Sequence, residues 1–478
     1  MKHKKIILIS IIGLLVIGFF SLYNSLDAIN VERGEKNNYF NKTLKRIVPQ
    51  NIKNYIRDTI FVFKKVSVLE QQVADRNNQI WDLLLDFNDQ SFFEFKKNEI
   101  KNKKLHNINL LLKTFTLPFL KKTGPRSYLS YYNQNLFLIT GTGILMYASL
   151  DNIKDERFVF KRIDTNFMDL VDVDYIKEYK GIVKNLLIKN NKIYVSYEKK
   201  VKDKCFTNAI LVSNLEFEKI IFNEFFNINE CHPILGTQTG GNLSDYKNDK
   251  ILMVIGDYDY YEDSEVREVK GNKNPQNINS FIGKIILIDE TTREYKILSM
   301  GHRNSQGLYY DKENNVIYST EHGPQGGDEI NVNTSPDGEI KNYGWGISSY
   351  GEHYGFPNAD NSEQYKIAPL NKSHAKYGFI EPIKYFTPSI APTQIIKTEQ
   401  FIKIPNKNII YIGALGYDVE EGYLSIHQFI LDADLKIEQH NIMPVGERVR
   451  DMIYIEELNK IFLFLESSGS IGILEVDN

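Results

Sequence analysis

The stretch Gly301–Val332 reads GHRNSQGLYYDKENNVIYSTEHGPQGGDEINV. Its middle, Asn315–Thr320 (NVIYST), has the β-branched and aromatic content of a short strand. Polar, glycine-rich loops flank that strand. Arg303 in the first loop offers a fork of donors for a carboxylate or phosphate, and the glycines of the second loop allow close backbone approach. The pattern predicts a site for an anionic ligand with a metal ion, and plain turn chemistry is the alternative.

The rest of the chain after residue 300 carries further motifs in a fixed order. They are Asn342-Tyr343-Gly344-Trp345, Thr387-Pro388-Ser389-Ile390-Ala391-Pro392 and Gly446-Glu447-Arg448-Val449-Arg450-Asp451. Together with GHRNSQGL and EHGPQGGDEIN, this order resembles the soluble sugar dehydrogenases that depend on pyrroloquinoline quinone (PQQ), the glucose/sorbosone dehydrogenase family. Weaker similarity reaches back to about residue 238. The resemblance implies a six-bladed β-propeller with the cofactor over its central channel.

Strand-like segments over residues 121–478 are consistent with that all-β class. They alternate with short polar turns and are Ser127–Tyr132, Leu136–Thr140, Ile193–Tyr197, Ile251–Ile255, Ile282–Ile288, Ile409–Ile412 and Ile461–Leu465. About 350 residues are too many for a single sandwich and suit a propeller of four-stranded blades. We expect strands near 127–140 and 461–475 to close the ring together.

The amino-terminal part of the chain has a different character. Ile6–Tyr23 is uncharged and would span about 27 Å as a helix, and lysines precede it. We predict an uncleaved single-pass transmembrane helix within an anchor over residues 1–28, with a cleaved signal peptide as the alternative. Either hypothesis places the main domain outside the cytoplasm, in a periplasmic or extracellular compartment.

Residues 29–120 are predicted to form a helical stalk or spacer. One amphipathic helix is indicated by apolar residues at heptad-like spacing, which are Val66, Leu69, Val73, Ile80 and Leu83. That helix would pack on a neighbouring element or form a coiled coil in a homodimer. A second helix is expected over Phe92–Leu112.

Composition limits the classes of partner. The formal charge of −3 over 478 residues gives no general electrostatic attraction to nucleic acid. Cys205 and Cys231 are the chain's two cysteines, too few for a disulfide framework. Whether they pair cannot be decided from sequence.

The resemblance assigns roles to individual residues. Four of them would hold the carboxylates of PQQ, namely Arg303, Asn304, Arg448 and Arg450. The carbonyl groups of Gly323 and Pro324 would bind calcium (Ca²⁺), which prefers oxygen ligands. Asp328 and Glu329 would bind a second calcium ion or cap a turn. If not ligands, the arginines of the last motif would pair with Glu447 or Asp451. His302 is expected to be a scaffold residue.

Two positions depart from the family pattern. Gln238 stands where the family has a histidine that takes the proton of the sugar hydroxyl, and Gly416 stands where a lysine is common. A neutral amide orients a hydroxyl but does not take up its proton at working pH. His232 could take over the role through a different loop path. The sequence therefore predicts a PQQ-dependent dehydrogenase of aldoses with an electron-acceptor carrier as partner. The alternative is a non-catalytic propeller that binds a sugar, a quinone or a protein.

Overall fold

The computed structural model describes residues 90–105, 107–117, 119–120, 126–154, 157–179, 181–232, 238–259, 275–416 and 422–477. The predicted anchor over 1–28, the spacer up to residue 89 and the coiled-coil helix lie outside these residues. Within them, no helix has the length and apolar character needed to cross a bilayer. The expected single-pass membrane location is therefore corrected: no membrane-spanning helix supports it in the part of the chain that the structure describes.

The described chain is built almost wholly of strands. Those of its first half are β1 (Phe92–Leu105), β2 (Ile108–Thr116), β3 (Ser127–Tyr132), β4 (Asn135–Thr140), β5 (Leu145–Ser149), β6 (Ile153–Lys154), β7 (Arg157–Thr165), β8 (Val183–Lys189), β9 (Lys192–Lys202), β10 (Cys205–Asn214), β11 (Lys219–Ile220), β12 (Asn223–Asn227), β13 (Gly240–Tyr246) and β14 (Lys250–Ile255). Those of its second half are β15 (Lys284–Asp289), β16 (Tyr295–Met300), β17 (Asn304–Asp311), β18 (Val316–His322), β19 (Asp328–Asn333), β20 (Lys341–Asn342), β21 (Lys384–Phe386), β22 (Pro392–Lys397), β23 (Asn408–Ala414), β24 (Ser425–Leu431), β25 (Ile437–Pro444), β26 (Val449–Ile455), β27 (Lys460–Leu465) and β28 (Ser470–Val476). Short helices lie between them: α1 (Phe167–Leu170), α2 (Val173–Glu178) and α3 (Ser362–Ile367). Every strand predicted from the sequence coincides with or overlaps an observed one.

The strands form antiparallel sheets whose first strands surround a common axis. Three sheets have the order β8-β9-β10-β12, β17-β18-β19-β21 and β22-β23-β24-β25, and a fourth runs β13-β14-β15-β16-β20. The fifth sheet joins β26-β27-β28-β2 to β7-β5-β4-β3 through β1. The first strands β3, β8, β13, β17, β22 and β26 contact one another in that order, and β26 contacts β3. This is a propeller-like, all-β fold.

The apolar core lies between neighbouring sheets. One cluster, for example, packs Tyr194 and Ile210 against Ile251 and Ile286. Polar side chains tie the first strands together at one end: Thr393 Oγ1 donates to the Val449 carbonyl over 2.7 Å. Because each first strand begins at this end, the residues just before it converge around the channel.

The prediction of a helix over Phe92–Leu112 is wrong. This region is the hairpin β1–β2, in which Lys103 pairs with Leu110. In β1, Phe93 and Phe95 are buried and their neighbours face outward, a period of two that the many lysines concealed. β2 pairs with β28 along its length. The amino-terminal strand β2 therefore completes the sheet of the carboxyl-terminal strands, a role that the sequence analysis gave to residues 127–140.

The ring is also closed by a buried carboxylate. Asp451 Oδ2 accepts a hydrogen bond of 2.6 Å from the Leu129 backbone N–H. Burial raises the pKa of Asp451 to about 7, against the opposing effect of its hydrogen bonds. The predicted proximity of residues 127–140 to the last sheet is thus present as contact between β3 and β26.

Cys205 and Cys231 form a disulfide, which settles the pairing that the sequence left open. The bond fixes the end of the segment that leads towards Gln238, because Phe206 and His232 exchange backbone hydrogen bonds beside it.

We expect loss of this disulfide to lower the free energy of unfolding by about 3.5 kcal/mol, since a crosslink across 26 residues restricts the unfolded chain. The test is urea unfolding of the wild type and of the Cys205→Ser/Cys231→Ser double variant, each with and without a reducing agent. The reductant should lower the midpoint of the wild type and leave that of the double variant unchanged. An equal response of both proteins would contradict the prediction.

Candidate functional site

The site is organised by the hairpin β17–β18. Asn304 at the start of β17 pairs with His322 at the end of β18. Arg303 and Gly323, the next residues outward, are therefore neighbours, and the two loops of the motif share one rim as the sequence predicted. The turn after Gly323 needs glycine, because Gly326 and Gly327 both have a positive φ.

Arg303 is fully buried and has several acceptors around it. Its Nη1 atom donates to the Gly323 carbonyl over 2.7 Å and to Gln238 Oε1 over 3.2 Å, and its Nη2 atom donates to the Tyr354 hydroxyl over 3.2 Å. The guanidinium carbon lies 5.3 Å from the ring centre of Trp345 and 5.6 Å from that of Tyr354. The structure thus brings Gln238, Arg303 and Gly323 together, although they come from separate loop segments next to β13, β17 and β18.

Gln238 occupies a strained backbone position beside Arg303. Its φ is +46°, and its carbonyl accepts a hydrogen bond from the Tyr258 N–H. A Cβ on Gly256 would lie 1.8 Å from the Gln238 carbonyl oxygen, so this approach requires glycine. Asn304 stands next to it, with Oδ1 accepting from the Gly240 N–H over 3.2 Å.

Arg448 and Arg450 share a single carboxylate, that of Glu466. Their Nε atoms lie 3.2 Å and 2.5 Å from its two oxygens, and Arg448 Nη1 also donates to the Leu415 carbonyl. Burial acts to raise the pKa of Glu466, but Arg450, Arg448 and Arg126 outweigh it and lower the pKa. The observed shared partner is therefore Glu466, whereas the alternative to a ligand role in the sequence analysis was pairing with Glu447 or Asp451.

The pKa of His322 is affected by the charges of the arginines. Its Nε2 atom lies 2.8 Å from the Pro392 carbonyl, which fixes Nε2 as the protonated nitrogen. Burial, together with the charges of Arg303, Arg450 and Arg448, lowers the pKa of His322 to about 3. All three predicted arginines thus act on one point of the rim, and the surroundings favour an anion.

Position 416 has no room for a side chain, because the ring of Tyr423 lies against it. A Cβ on Gly416 would lie 2.1 Å from the ring of Tyr423. The ring of Tyr423 thus occupies the space that a side chain at position 416 would enter.

Behind Arg303 lies a buried acid and histidine network that the sequence analysis missed. Glu321 Oε1 accepts from the Arg303 N–H over 3.0 Å, and Glu321 Oε2 lies 2.8 Å from His302 Nδ1. His302 Nε2 lies 2.8 Å from Ser299 Oγ. These contacts make His302 a scaffold residue, as expected, and hold the backbone of Arg303 in place.

Asp328 and Glu329 are engaged by protein donors. The Asp328 carboxylate accepts hydrogen bonds from the Gly323, Ile390 and Ala391 N–H groups and from Ser389 Oγ. Burial raises its pKa to about 6 in spite of these bonds. Glu329 lies 3.0 Å from His374 Nε2 and accepts from Asn331. Their donors match the turn-capping alternative. Among the described residues, no group of three acidic, histidine or cysteine side chains could hold a metal ion.

Two further cations at this end of the channel were also missed. Arg126 immediately precedes β3, and Lys184 is the second residue of β8. Lys184 is buried and lies 3.3 Å from Glu198. The available signal was a basic residue just before or near the start of a strand-like segment.

Comparison with known proteins agrees with this geometry. Residues 182–472 match the family model described as Glucose / Sorbosone dehydrogenase. An uncharacterized protein of Synechocystis is 28% identical over 243 residues, 48% of this chain and 53% of that protein. Aldose sugar dehydrogenase YliI of Escherichia coli is 29% identical over 186 residues, 38% of this chain and 45% of that protein. The chain spans about half the length of these two relatives.

Solved structures share the fold. A glucose dehydrogenase aligns with a TM-score of 0.57 and 17% identity, covering 80% of this chain and all of that one (100%). The PQQ domain of pyranose dehydrogenase from Coprinopsis cinerea, in its holo form, aligns with a TM-score of 0.53 and 11% identity, covering 79% of this chain and 98% of that domain. At these identities the likeness concerns the fold alone.

We expect Asp328→Asn to destabilise the protein by about 3 kcal/mol, because an amide nitrogen would face backbone N–H donors that now have an acceptor. Thermal and urea unfolding should be measured well above the pKa of Asp328. The control is Asp434→Asn, an exposed carboxylate. If instead Ca²⁺ stabilised the wild type and Asp328→Asn abolished that effect, the second calcium site would be right and turn capping wrong.

Proposed function

Because the chain belongs to the Glucose / Sorbosone dehydrogenase family, we propose that it binds PQQ and oxidises an aldose at its anomeric carbon. The observation that carries this proposal is the arrangement of three arginines: Arg448 and Arg450 meet on Glu466, and buried Arg303 lies beside Gln238 and Gly323. The charges of all three also act to lower the pKa of His322. These arginines come from two different sheets, and their charges would otherwise repel one another. A ligand with several carboxylates would relieve that repulsion.

The donor set suits PQQ. Guanidinium groups bind carboxylates through paired, charge-assisted hydrogen bonds, and PQQ carries three carboxylates. Arg448 and Arg450 now share Glu466, so together they retain a net positive charge for the ligand. Asn304 adds an amide beside Gly240, at the start of β13. We propose a propeller of six blades, one for each first strand from β3 to β26, with the ligand over the channel.

When bound, PQQ supplies the electron acceptor for the hydride of the sugar. The residues of this chain would bind the quinone, exclude water with Trp345 and Tyr354, and orient the sugar. Gln238 would form a hydrogen bond with the anomeric hydroxyl, either accepting through its amide oxygen or donating through its amide nitrogen. Since its amide cannot take the proton, catalysis through residue 238 alone would be slower by about 10²–10⁴-fold than with a general base.

Calcium does not fit the arrangement as it stands. The Gly323 carbonyl accepts a hydrogen bond from the Arg303 guanidinium, and the carboxylates of Asp328 and Glu329 are already engaged by donor groups of the protein. A role for the Gly323 and Pro324 carbonyls in binding Ca²⁺ stays a prediction, and no step of the reaction is derived through it.

A second function, binding without turnover, is favoured by two observations. Gln238 lacks a titrating group, and Tyr423 fills the space at Gly416. With binding alone, the pocket would hold a sugar, a quinone or a protein partner. With oxidation of an aldose, electrons would pass from the reduced cofactor to a separate carrier.

We expect the full chain to bind PQQ and Arg450→Met to bind it about 10- to 100-fold more weakly, because one charge-assisted contact is lost. Cofactor absorbance during titration with PQQ, with Ca²⁺ or with a chelator, gives the affinity. Arg157→Met removes an exposed arginine of β7 and serves as the control. Equal affinity of Arg450→Met and the wild type would exclude the arginine from the site.

We expect Gln238→Leu to raise KM for the aldose about tenfold with a smaller change in kcat, since a hydrogen bond made in both the bound and transition states is lost. Dye reduction by PQQ-loaded protein measures both constants. Arg303 keeps its Gly323 acceptor, so the fold should persist. Gln439→Leu, an exposed position of β25, is the control. An unchanged KM would remove Gln238 from the sugar site.

A further inference from the structure

Tyr179 lies between two cations at the end of the channel that carries the site. It follows α2 and precedes β8, and Arg126 Nη1 donates to its hydroxyl. The Arg126 guanidinium carbon and Lys184 Nζ lie 5.2 Å and 5.0 Å from the centre of its ring. The side chain is half-buried.

The charged surroundings of Tyr179 favour its ionised form. Burial acts to raise the pKa of Tyr179, but Lys184 and Arg126 outweigh burial and lower the pKa below that of a free phenol. The opposing group is Glu198 on β9, whose charge is partly balanced because it lies 3.3 Å from Lys184. Among the described residues, Tyr175 of α2 is a further titratable neighbour, and its pKa is raised chiefly by burial.

The two cations beside Tyr179 relate it to the site, Lys184 through a contact and Arg126 through its charge. The stem of Lys184 lies against Gly241, where an added Cβ would be 2.5 Å from Lys184 Cβ. Gly241 is in the segment that begins with Gln238. On the other side, Arg126 contributes to lowering the pKa of Glu466, the carboxylate held by Arg448 and Arg450.

The other groups near the rim are poor proton acceptors. Gln238 is an amide, and His322 has a pKa of about 3, so it would not retain a proton near neutral pH. His232 is fully buried, with its ring stacked on Tyr258 at 3.6 Å. It lies behind that tyrosine, so a sugar cannot reach it. His232 therefore does not take over the role that the sequence analysis left open for it.

We propose that Tyr179 is the proton acceptor of the sugar oxidation, in place of the histidine missing at position 238. The proposal rests on the proposed function. The anomeric C–H bond breaks and its hydride, with both electrons, passes to the quinone. The O–H bond of the anomeric hydroxyl breaks and its proton passes to the phenolate oxygen of Tyr179. A C=O bond forms, and the lactone leaves. Tyr179 then returns its proton to solvent, and an external electron acceptor reoxidises the cofactor.

The first test needs no cofactor. Tyrosinate absorbance is followed during alkaline titration of the full chain, the Tyr179→Phe variant and a Tyr377→Phe control, which removes an exposed tyrosine. We expect one early-ionising tyrosine in the wild type and the control, absent from Tyr179→Phe. In Lys184→Met this ionisation should move to higher pH, and circular dichroism checks that each variant is folded. An early-ionising tyrosine that persists in Tyr179→Phe would overturn the proposal.

The second test uses PQQ-loaded protein and dye reduction by aldoses. The wild-type kcat should rise with pH as the tyrosine ionises, because the base acts in its deprotonated form. Tyr179→Phe should lose about 10²-fold or more in kcat and lose the rise with pH, with PQQ affinity unchanged. If Tyr179→Phe binds PQQ and keeps an unaltered kcat, the role of Tyr179 is overturned but the proposed function is not. Failure of the wild type to bind PQQ would overturn the proposed function as well.

Discussion

The guanidinium of Arg303 is the interaction on which the arrangement of the site depends. A buried charge is costly unless its donors are satisfied, and Arg303 meets this requirement with acceptors from three other segments. Gln238, the Gly323 carbonyl and Tyr354 are positioned around it for that reason. Glu321 holds its backbone from behind. A change at any of these partners would leave Arg303 with one acceptor fewer.

The second constraint is the excess of positive charge at one end of the channel. Arg126, Lys184, Arg303, Arg448 and Arg450 all lie near the starts of first strands, a consequence of the ring arrangement. Glu466 and Glu198 compensate part of the charge. Burial lowers the pKa of His322 and the arginine charges add to that effect, whereas for Tyr179 the charges of Lys184 and Arg126 lower the pKa against burial. The same positive charge supports both the proposed anionic ligand and the proposed role of Tyr179.

Ring closure links the ends of the described chain to this chemistry. β2 pairs with β28, and Asp451 accepts from β3, so the last sheet is held on both of its sides. Arg448 and Arg450 enter that sheet at β26. Their positions relative to Arg303 and Arg126 therefore depend on a strand more than 300 residues earlier in the chain, and a truncation that removes β2 would disturb the site.

The sequence by itself determined the family, the all-β class, the positions of most strands and the proximity of Arg303 to the Gly323 loop. These features depend on local patterns: alternation of apolar residues, turn glycines and motifs of a few residues. The tertiary structure alone decided that residues 92–116 form a hairpin, that Cys205 and Cys231 pair, that Glu466 is the partner of both late arginines and that Tyr423 occupies the space at Gly416. It also placed Tyr179 between Arg126 and Lys184. Each of these depends on contacts between residues distant in the chain or on the direction of a side chain, and neither is encoded in local periodicity.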